Sequence, residues 1–214
     1  MTKTVDNQWD HQHDYHSSAN TDSLKVTHLT LELRVDFSVK QLIGHVQLQF
    51  EPNNNLTNVQ QLILDCRDLT IFKVTDKQGA TLEFTVSEVD EVLGQKLAIN
   101  IHQSIREVVV YYATSPQAQG LQWLAPEQTL GKLRPYLFSQ SQPINARSWI
   151  PLQDTPKARV TFDAVIHVNN GLRAAIKLRQ HQIANFKTAA SSIPLFMQCH
   201  NQLISAAVIN LCWH

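Results

Sequence analysis

The sequence from His28 to Phe37 alternates strictly between polar and apolar side chains. Successive side chains of a β-strand point to opposite faces, so a period of two indicates a strand with one buried face and one wet face. The apolar set consists of Leu29, Leu31, Leu33, Val35 and Phe37. The sequence therefore predicts a long strand that begins near Val26.

The same pattern recurs from His45 to Phe50, and the turn-forming residues Glu51–Asn55 end it. Two such strands in succession predict a meander. Further strand-like runs, none with a sustained helical period, lie at Gln61–Leu64, Leu69–Thr75, Thr81–Val86, Lys96–Ile101, Glu107–Ala113 and Arg159–Val168.

A turn signal, Asn169-Asn170-Gly171, follows the last of these runs and predicts a returning strand at Leu172–Ala175. The chain has no fixed-period repeat and no low-complexity tract that would indicate a solenoid or a propeller. We therefore expect an all-β fold, with one twisted domain built from several sheets or a sandwich.

The composition of the chain argues against nucleic-acid and membrane partners. With 18 basic and 18 acidic residues, the chain lacks the positive field that nucleic-acid binding requires, so we expect no nucleic-acid partner. No run approaches the roughly 18–20 apolar residues of a membrane span, and the polar start lacks a secretory signal, so we expect no membrane partner and a cytoplasmic location. The three cysteines are widely spaced and predict free or buried thiols.

Two segments are richer in Trp, Tyr, Pro and Gln than strands and turns require. They are Gln122–Lys132 (QWLAPEQTLGK) and Arg134–Pro156 (RPYLFSQSQPINARSWIPLQDTP). Together they resemble the N-terminal domain of zinc aminopeptidases, especially the leukotriene-A-four hydrolase and aminopeptidase B branch. The resemblance covers about Ser23–Ala175 and implies a saddle-like, multi-sheet β domain that ends before the catalytic domain.

The resemblance also implies a function. In an intact enzyme, such a domain would form part of the substrate cleft, and the catalytic domain would remove N-terminal amino acids from peptides with zinc-activated water. A peptide substrate is thus expected only in the context of a catalytic domain. An alternative is a non-catalytic β module that binds a peptide or a protein, and another is a pseudogene product with an exposed apolar former interface.

Gln140 and Gln142 are the candidate substrate-binding residues. Because they are two positions apart, their amides point to the same side of an extended chain. The resemblance implies that Gln142 helps hold the free amino group of the substrate, for which its carbonyl oxygen is a suitable acceptor. The alternative is that both amides only satisfy neighbouring backbone groups. Where relatives often carry a small residue and a histidine, this chain has Pro143 and Asn145.

Arg147 and Asp154 invite an ion-pair interpretation. They flank Trp149-Ile150-Pro151, which is typical of a packed corner bent by a proline. We therefore expect this pair to support the structure rather than to take part in catalysis.

The zinc chemistry of the resembled family needs an H-E-x-x-H motif. None of the ten histidines is followed by glutamate, so we predict no catalytic and no metal-binding residues in this chain, with zinc only in the intact family enzyme. A histidine-rich stretch near the start is expected to be a solvated arm or an adventitious ion binder; it contains Asp10, His11, His13, Asp14 and His16.

We expect three regions: a flexible polar arm over residues 1–23, the β domain over 24–175, and a divergent tail over 176–214, where the alternation and the resemblance fade. A frameshift or premature stop in a longer gene would explain the tail. The alternative is a natural short protein whose tail closes the domain with a helix or strands.

Overall fold

The computed structural model describes residues 14–53, 60–169, 172–177, 197–202 and 208–212. It confirms the all-β prediction. Helical structure in these ranges is confined to two 3-10 helices, Pro126–Gln128 and Ala146–Ser148. The strands are β1 (Leu24–Asp36), β2 (Gln41–Pro52), β3 (Gln61–Cys66), β4 (Thr70–Asp76), β5 (Phe84–Val86), β6 (Gln95–Asn100), β7 (Glu107–Ala113), β8 (Leu121–Leu124), β9 (Tyr136–Ser139), β10 (Val160–His167), β11 (Arg173–Lys177), β12 (Met197–Gln202) and β13 (Val208–Cys212).

The largest sheet has six strands in the order β12-β10-β1-β2-β7-β4. Strands β1 and β2 pair antiparallel, as the predicted meander requires, with Leu31 opposite Val46. Strand β10 runs parallel to β1 on its other side and places Phe162 beside Leu29. The two longest alternating runs of the sequence therefore lie side by side, and their apolar faces form one continuous surface.

The core lies under the apolar face that the alternation predicts. Leu29, Leu31, Leu33 and Val35 are all buried, whereas Phe37 packs at the margin of the core. Full burial of one such aliphatic side chain contributes about 1.5–3 kcal/mol. The period-two pattern thus fixes which face of the main sheet turns inward.

A second sheet has the order β11-β13-β9-β8. The strand predicted after the Asn169-Asn170-Gly171 signal is present as β11, but it pairs with β13 in this second sheet and not with β10. Both edges of β10 are already occupied, by β1 and by β12. The alternating pattern identifies a strand but does not identify its neighbour.

A third, smaller sheet has the order β3-β6-β5. The strand predicted for Thr81–Val86 extends only over β5, while Thr81 forms an isolated bridge with Thr75 of β4. This bridge joins the edge of the six-stranded sheet to the chain that enters the third sheet.

The described part of the predicted N-terminal arm is attached to the body of the domain. The Asn20 side chain donates to the Gln61 carbonyl and accepts from the Ile63 amide, each at 2.9 Å, so one amide group occupies the free edge of β3. Residues 1–13 of that arm lie outside the described residues. We call residues 14–20 the N-terminal strap.

Much of the predicted tail, including residues 178–196, also lies outside the described residues. Two of its segments form β12 and β13, which pair with β10 and with β11 and β9. Neither 3-10 helix, nor any other helix in the described part of the chain, has the length and apolar character needed to cross a bilayer.

Candidate functional site

The two candidate glutamines follow the end of β9, which forms a hairpin with β8. Leu121 of β8 lies opposite Ser139, and the Gln140 amide continues the pairing by donating to the Gly120 carbonyl at 2.8 Å. Gln140 and Gln142 are exposed, whereas Ser141 between them is buried. Their side chains therefore lie on the open side of the same extended segment.

Neither glutamine side-chain amide has a hydrogen-bond partner among the described residues. The contact recorded for Gln142 involves its backbone carbonyl, which accepts from the Asn145 side-chain amide at 3.3 Å. In the described structure, the two side chains are thus not used to satisfy neighbouring backbone groups. Both side-chain amides lie at the exposed surface of the hairpin.

The turn after Gln142 is fixed by short backbone contacts. The Asn145 amide donates to the Ser141 carbonyl at 2.8 Å, and the Gln142–Pro143 peptide bond is cis. The Ser148 hydroxyl donates to the Asn145 carbonyl at 2.7 Å. We call residues 140–150 the glutamine loop.

Gly120 lets the glutamine loop pack directly on the start of β8. Its amide donates to the Ser148 hydroxyl at 2.8 Å. A Cβ at this position would lie 2.5 Å from the Asn145 carbonyl oxygen and 2.9 Å from Cδ1 of Trp149. Real Cβ atoms do not approach so closely, so the site requires glycine.

Trp149 anchors the loop in the core. Its indole N–H donates to the Ser141 hydroxyl at 3.1 Å, and its carbonyl accepts from the Tyr112 hydroxyl at 2.9 Å. Tyr112 is fully buried, and burial raises the pKa of its phenol well above the ordinary value. The predicted packed corner at Trp149 therefore exists, and it supports the segment that carries Gln142.

Arg147 is completely buried beneath this loop. Its Nε donates to the Asp154 carboxylate at 3.1 Å, and its terminal nitrogens donate to the carbonyls of Leu93 and His16, both at 2.7 Å. Buried charges are tolerated when they are paired and hydrogen-bonded in this way. The expected ion pair with Asp154 is present, and it supports the structure.

A second buried carboxylate, Asp65 at the end of β3, completes this arrangement at 3.9 Å from the guanidinium. It accepts hydrogen bonds from the Ser17 hydroxyl at 2.5 Å, the Ser18 amide at 2.8 Å and the Asp154 amide at 3.0 Å. We call Asp65, Arg147 and Asp154 the arginine cluster.

Sequence reasoning did not identify Asp65, although an available signal was its charged side chain inside the apolar run Leu62–Cys66. Burial raises the pKa of the Asp154 carboxyl, and the adjacent Arg147 opposes that rise. Burial likewise raises the pKa of the neighbouring Cys66 thiol to about 12. The cluster therefore lies in a poorly hydrated interior, where an unpaired charge is costly.

Beyond the glutamines, the open side of the hairpin becomes aromatic and apolar. The rings of Tyr136 and Phe138 are 5.9 Å apart. A cavity of about 620 Å³ adjoins Tyr136, and the projecting side chains of Leu130 and Leu133 are among its walls. The surface thus combines two exposed amides with an apolar region at the other end of β9.

The described residues contain no group of three or more His, Cys, Asp or Glu side chains arranged to hold a metal ion. Asp10, His11 and His13 lie outside them. In the described remainder of that stretch, Asp14 accepts a hydrogen bond from the Thr155 hydroxyl, and the His16 carbonyl accepts from Arg147.

Comparison with known proteins connects these features to one family. The model of the peptidase M1 N-terminal domain matches residues 15–187. Leukotriene A-4 hydrolase of Xenopus laevis is 34% identical over 188 residues, which cover 85% of this chain and 30% of that protein. Leucine aminopeptidase 2 of Yarrowia lipolytica is 36% identical over 160 residues, which cover 73% of this chain and 24% of that protein. The chain spans less than a third of the length of these relatives.

Solved structures of other proteins share the fold of this chain. Native leukotriene A4 hydrolase from Saccharomyces cerevisiae superposes with a TM-score of 0.82 at 26% identity, covering 95% of this chain and 31% of that chain. The M1 zinc metallopeptidase from Deinococcus radiodurans superposes with a TM-score of 0.67, covering 88% of this chain and 42% of that chain; at 18% identity this match shows the fold alone.

The matched family model describes the N-terminal domain of M1 peptidases and covers more than half of this chain. The sequence match, the superposition and the all-β, multi-sheet architecture lead to the same assignment. This chain belongs to the peptidase M1 N-terminal domain family.

Proposed function

We propose that this chain forms one wall of the peptide cleft of an M1-type zinc aminopeptidase and has no peptidase activity alone. The observation that carries this proposal is the exposed pair Gln140 and Gln142, whose side-chain amides have no partner within the described residues. A supported loop presents both side chains on one side of the hairpin.

The chemistry of the pair suits the amino end of a peptide. An ammonium group offers only donors, and a glutamine carbonyl oxygen is an acceptor that carries no charge. Such a contact is weak in open water, because water competes for both groups, and it strengthens where a second surface excludes water. We therefore assign Gln142 to the substrate amino group and Gln140 to an adjacent position in the same cleft.

Hydrolysis requires more than this wall supplies. A metallopeptidase polarises the scissile carbonyl and activates water with a bound metal, held by a fixed set of nitrogen and oxygen ligands. The sequence contains no H-E-x-x-H motif. Under this proposal, peptide turnover depends on a catalytic domain that the wall faces.

An NMR titration tests the assignment of the glutamines. The ¹⁵N-labelled chain is titrated with a dipeptide amide that has a free amino terminus and, separately, with its N-acetylated form. We expect the free-amine peptide to shift the side-chain amide signals of Gln140 and Gln142, and the acetylated peptide to leave them in place. The Gln142→Ala variant should lose the response.

The matched control is Gln78→Ala, which removes an exposed glutamine from the turn after β4 and should leave the response intact. Shifts equal for the free and acetylated peptides would contradict a role in holding the amino group. So would an undiminished response of Gln140 in Gln142→Ala.

A second function is favoured by the apolar end of the hairpin. Leu130 is fully exposed and Leu133 largely so, and both adjoin the 620 Å³ cavity. Exposed apolar patches of this kind mark contact surfaces. A non-catalytic peptide- or protein-binding module would bind through this region, so its signals, rather than those of the glutamines, would shift with both peptides.

A further inference from the structure

The N-terminal strap and the glutamine loop meet at the arginine cluster. From the strap, Ser17 and Ser18 supply two of the three hydrogen bonds recorded to the Asp65 carboxylate, and His16 supplies an acceptor to Arg147. These contacts join residues far apart in sequence. The strap thus contributes acceptors and donors that the buried charges would otherwise lack.

The strap is itself held at both ends. At one end, Asp14 accepts from the Thr155 hydroxyl, next to Asp154 of the cluster. At the other end, the Asn20 side chain bonds to the edge of β3, the strand that ends beside Asp65. This attachment fixes the strap on the same two segments that carry the carboxylates.

On the opposite side of the cluster, Arg147 belongs to the 3-10 helix of the glutamine loop. The Arg147 amide donates to the Asp154 carboxylate at 3.2 Å, and its carbonyl accepts from the Arg67 amide at 2.9 Å. The neighbouring residue, Ser148, holds the turn that begins at Ser141 through the Asn145 carbonyl. A displacement of Arg147 would therefore be transmitted to the turn that presents Gln142.

We propose that Arg147 is a positioning residue for Gln142. Residues 16–18 of the strap hold Arg147 and Asp65 in the positions that keep the glutamine loop folded. The effect of this coupling on substrate binding rests on the proposed function. The coupling itself does not, because it is a property of the folded chain. Weakening the strap loosens the glutamine loop through Asp65 and Arg147.

Hydrogen exchange measured by mass spectrometry tests the coupling in the full chain without any ligand. Ser17→Ala removes the hydroxyl that bonds to Asp65. We expect exchange to accelerate in the peptides that cover residues 141–148 by about fivefold, the factor that corresponds to about 1 kcal/mol of local opening free energy. Exchange within β1 and β2 should not change.

Two further variants separate positioning from general loosening. Ser17→Thr keeps the hydroxyl and should restore slow exchange in residues 141–148. Ser38→Ala is the matched control, because the Ser38 hydroxyl also donates to an aspartate, Asp36, at 2.5 Å, but in an exposed turn. It should leave the glutamine loop unaffected.

The proposal is overturned if Ser17→Ala accelerates exchange only in the strap and β3 while residues 141–148 keep the wild-type rate. Equal acceleration throughout the domain, or no recovery in Ser17→Thr, would also contradict it. Because no peptide is present, these outcomes do not depend on whether Gln142 binds an amino group. Failure of the NMR titration is thus distinguishable from failure of the coupling.

Discussion

Replacing Arg147 with methionine removes the positive charge of the arginine cluster while keeping most of the side-chain volume. Arg147 and Asp65 are 0% exposed, and Asp154 is 6% exposed. The substitution leaves two carboxylates in the interior without their cation. Removing one partner of a buried ion pair typically costs about 3–5 kcal/mol.

The structure sets the size of this effect more closely. Asp65 keeps its three hydrogen bonds from the strap and the Asp154 amide, so Asp154 carries most of the loss. Its alternative is to take up a proton. From its unfolded pKa of 3.8, protonation at pH 7 costs about 4 kcal/mol and at pH 5 about 1.5 kcal/mol, at 1.36 kcal/mol per unit.

The sign of the pH dependence follows from the same carboxyl. Burial already raises the pKa of Asp154, and Arg147 opposes that rise, so Arg147→Met raises the pKa further. An acid whose pKa is higher when folded favours the folded state below its unfolded pKa, and this contribution is lost as pH rises toward the folded pKa. The destabilisation of the variant should therefore grow from pH 5 to pH 7.

Urea unfolding followed by circular dichroism measures this difference at both pH values. We expect Arg147→Met to lose about 4 kcal/mol at pH 7 and clearly less at pH 5. In the double variant with Asp154→Asn, the pH dependence should largely disappear, because the titrating carboxyl is gone. A loss below about 1 kcal/mol that is the same at both pH values would show that the Asp154 carboxylate does not depend on the charge of Arg147.

Other predictions concern the packing around the same loop. Gly120→Ala should lower the free energy of unfolding by about 1–3 kcal/mol, because the new methyl group meets the Asn145 carbonyl oxygen. Gly79→Ala, in open space at φ +88°, should lose about 1–2 kcal/mol from backbone strain alone. A loss below about 1 kcal/mol at Gly120 would contradict the predicted clash with the Asn145 carbonyl oxygen. The Cys66 thiol, with its pKa raised to about 12, should resist a disulfide reagent at pH 8 until urea unfolds the chain, in a variant whose other cysteines are serine. Rapid labelling of the folded chain would contradict its burial.

The sequence predicts much of the fold because the long strands carry a local signal. The alternation in β1 and β10 identifies their faces without knowledge of any partner. The parallel pairing of these two strands was not predicted, since His28 and its contact Thr161 are 133 positions apart in the sequence. Strands β8 and β9 have only four residues each, too few for a period to show.

The candidate site, like the fold, could be predicted only in part from the sequence. The spacing of Gln140 and Gln142 predicts that both face one side, and both side chains are exposed. The contacts beneath these side chains were only partly predictable. Arg147 and Asp154 are close in sequence, but the His16 carbonyl, which accepts a hydrogen bond from the Arg147 guanidinium, lies 131 positions away. Such contacts depend on the folded arrangement of three separate segments.

The proposed function gives this chain a substrate-facing wall of an M1 aminopeptidase but not the chemistry of the enzyme. The direct measurement is hydrolysis of aminoacyl-fluorophore substrates by the purified chain with added zinc, together with its metal content. We predict no zinc-dependent turnover above the rate of buffer with zinc. Zinc-dependent release of fluorophore by a chain that retains one zinc ion per molecule would contradict the account.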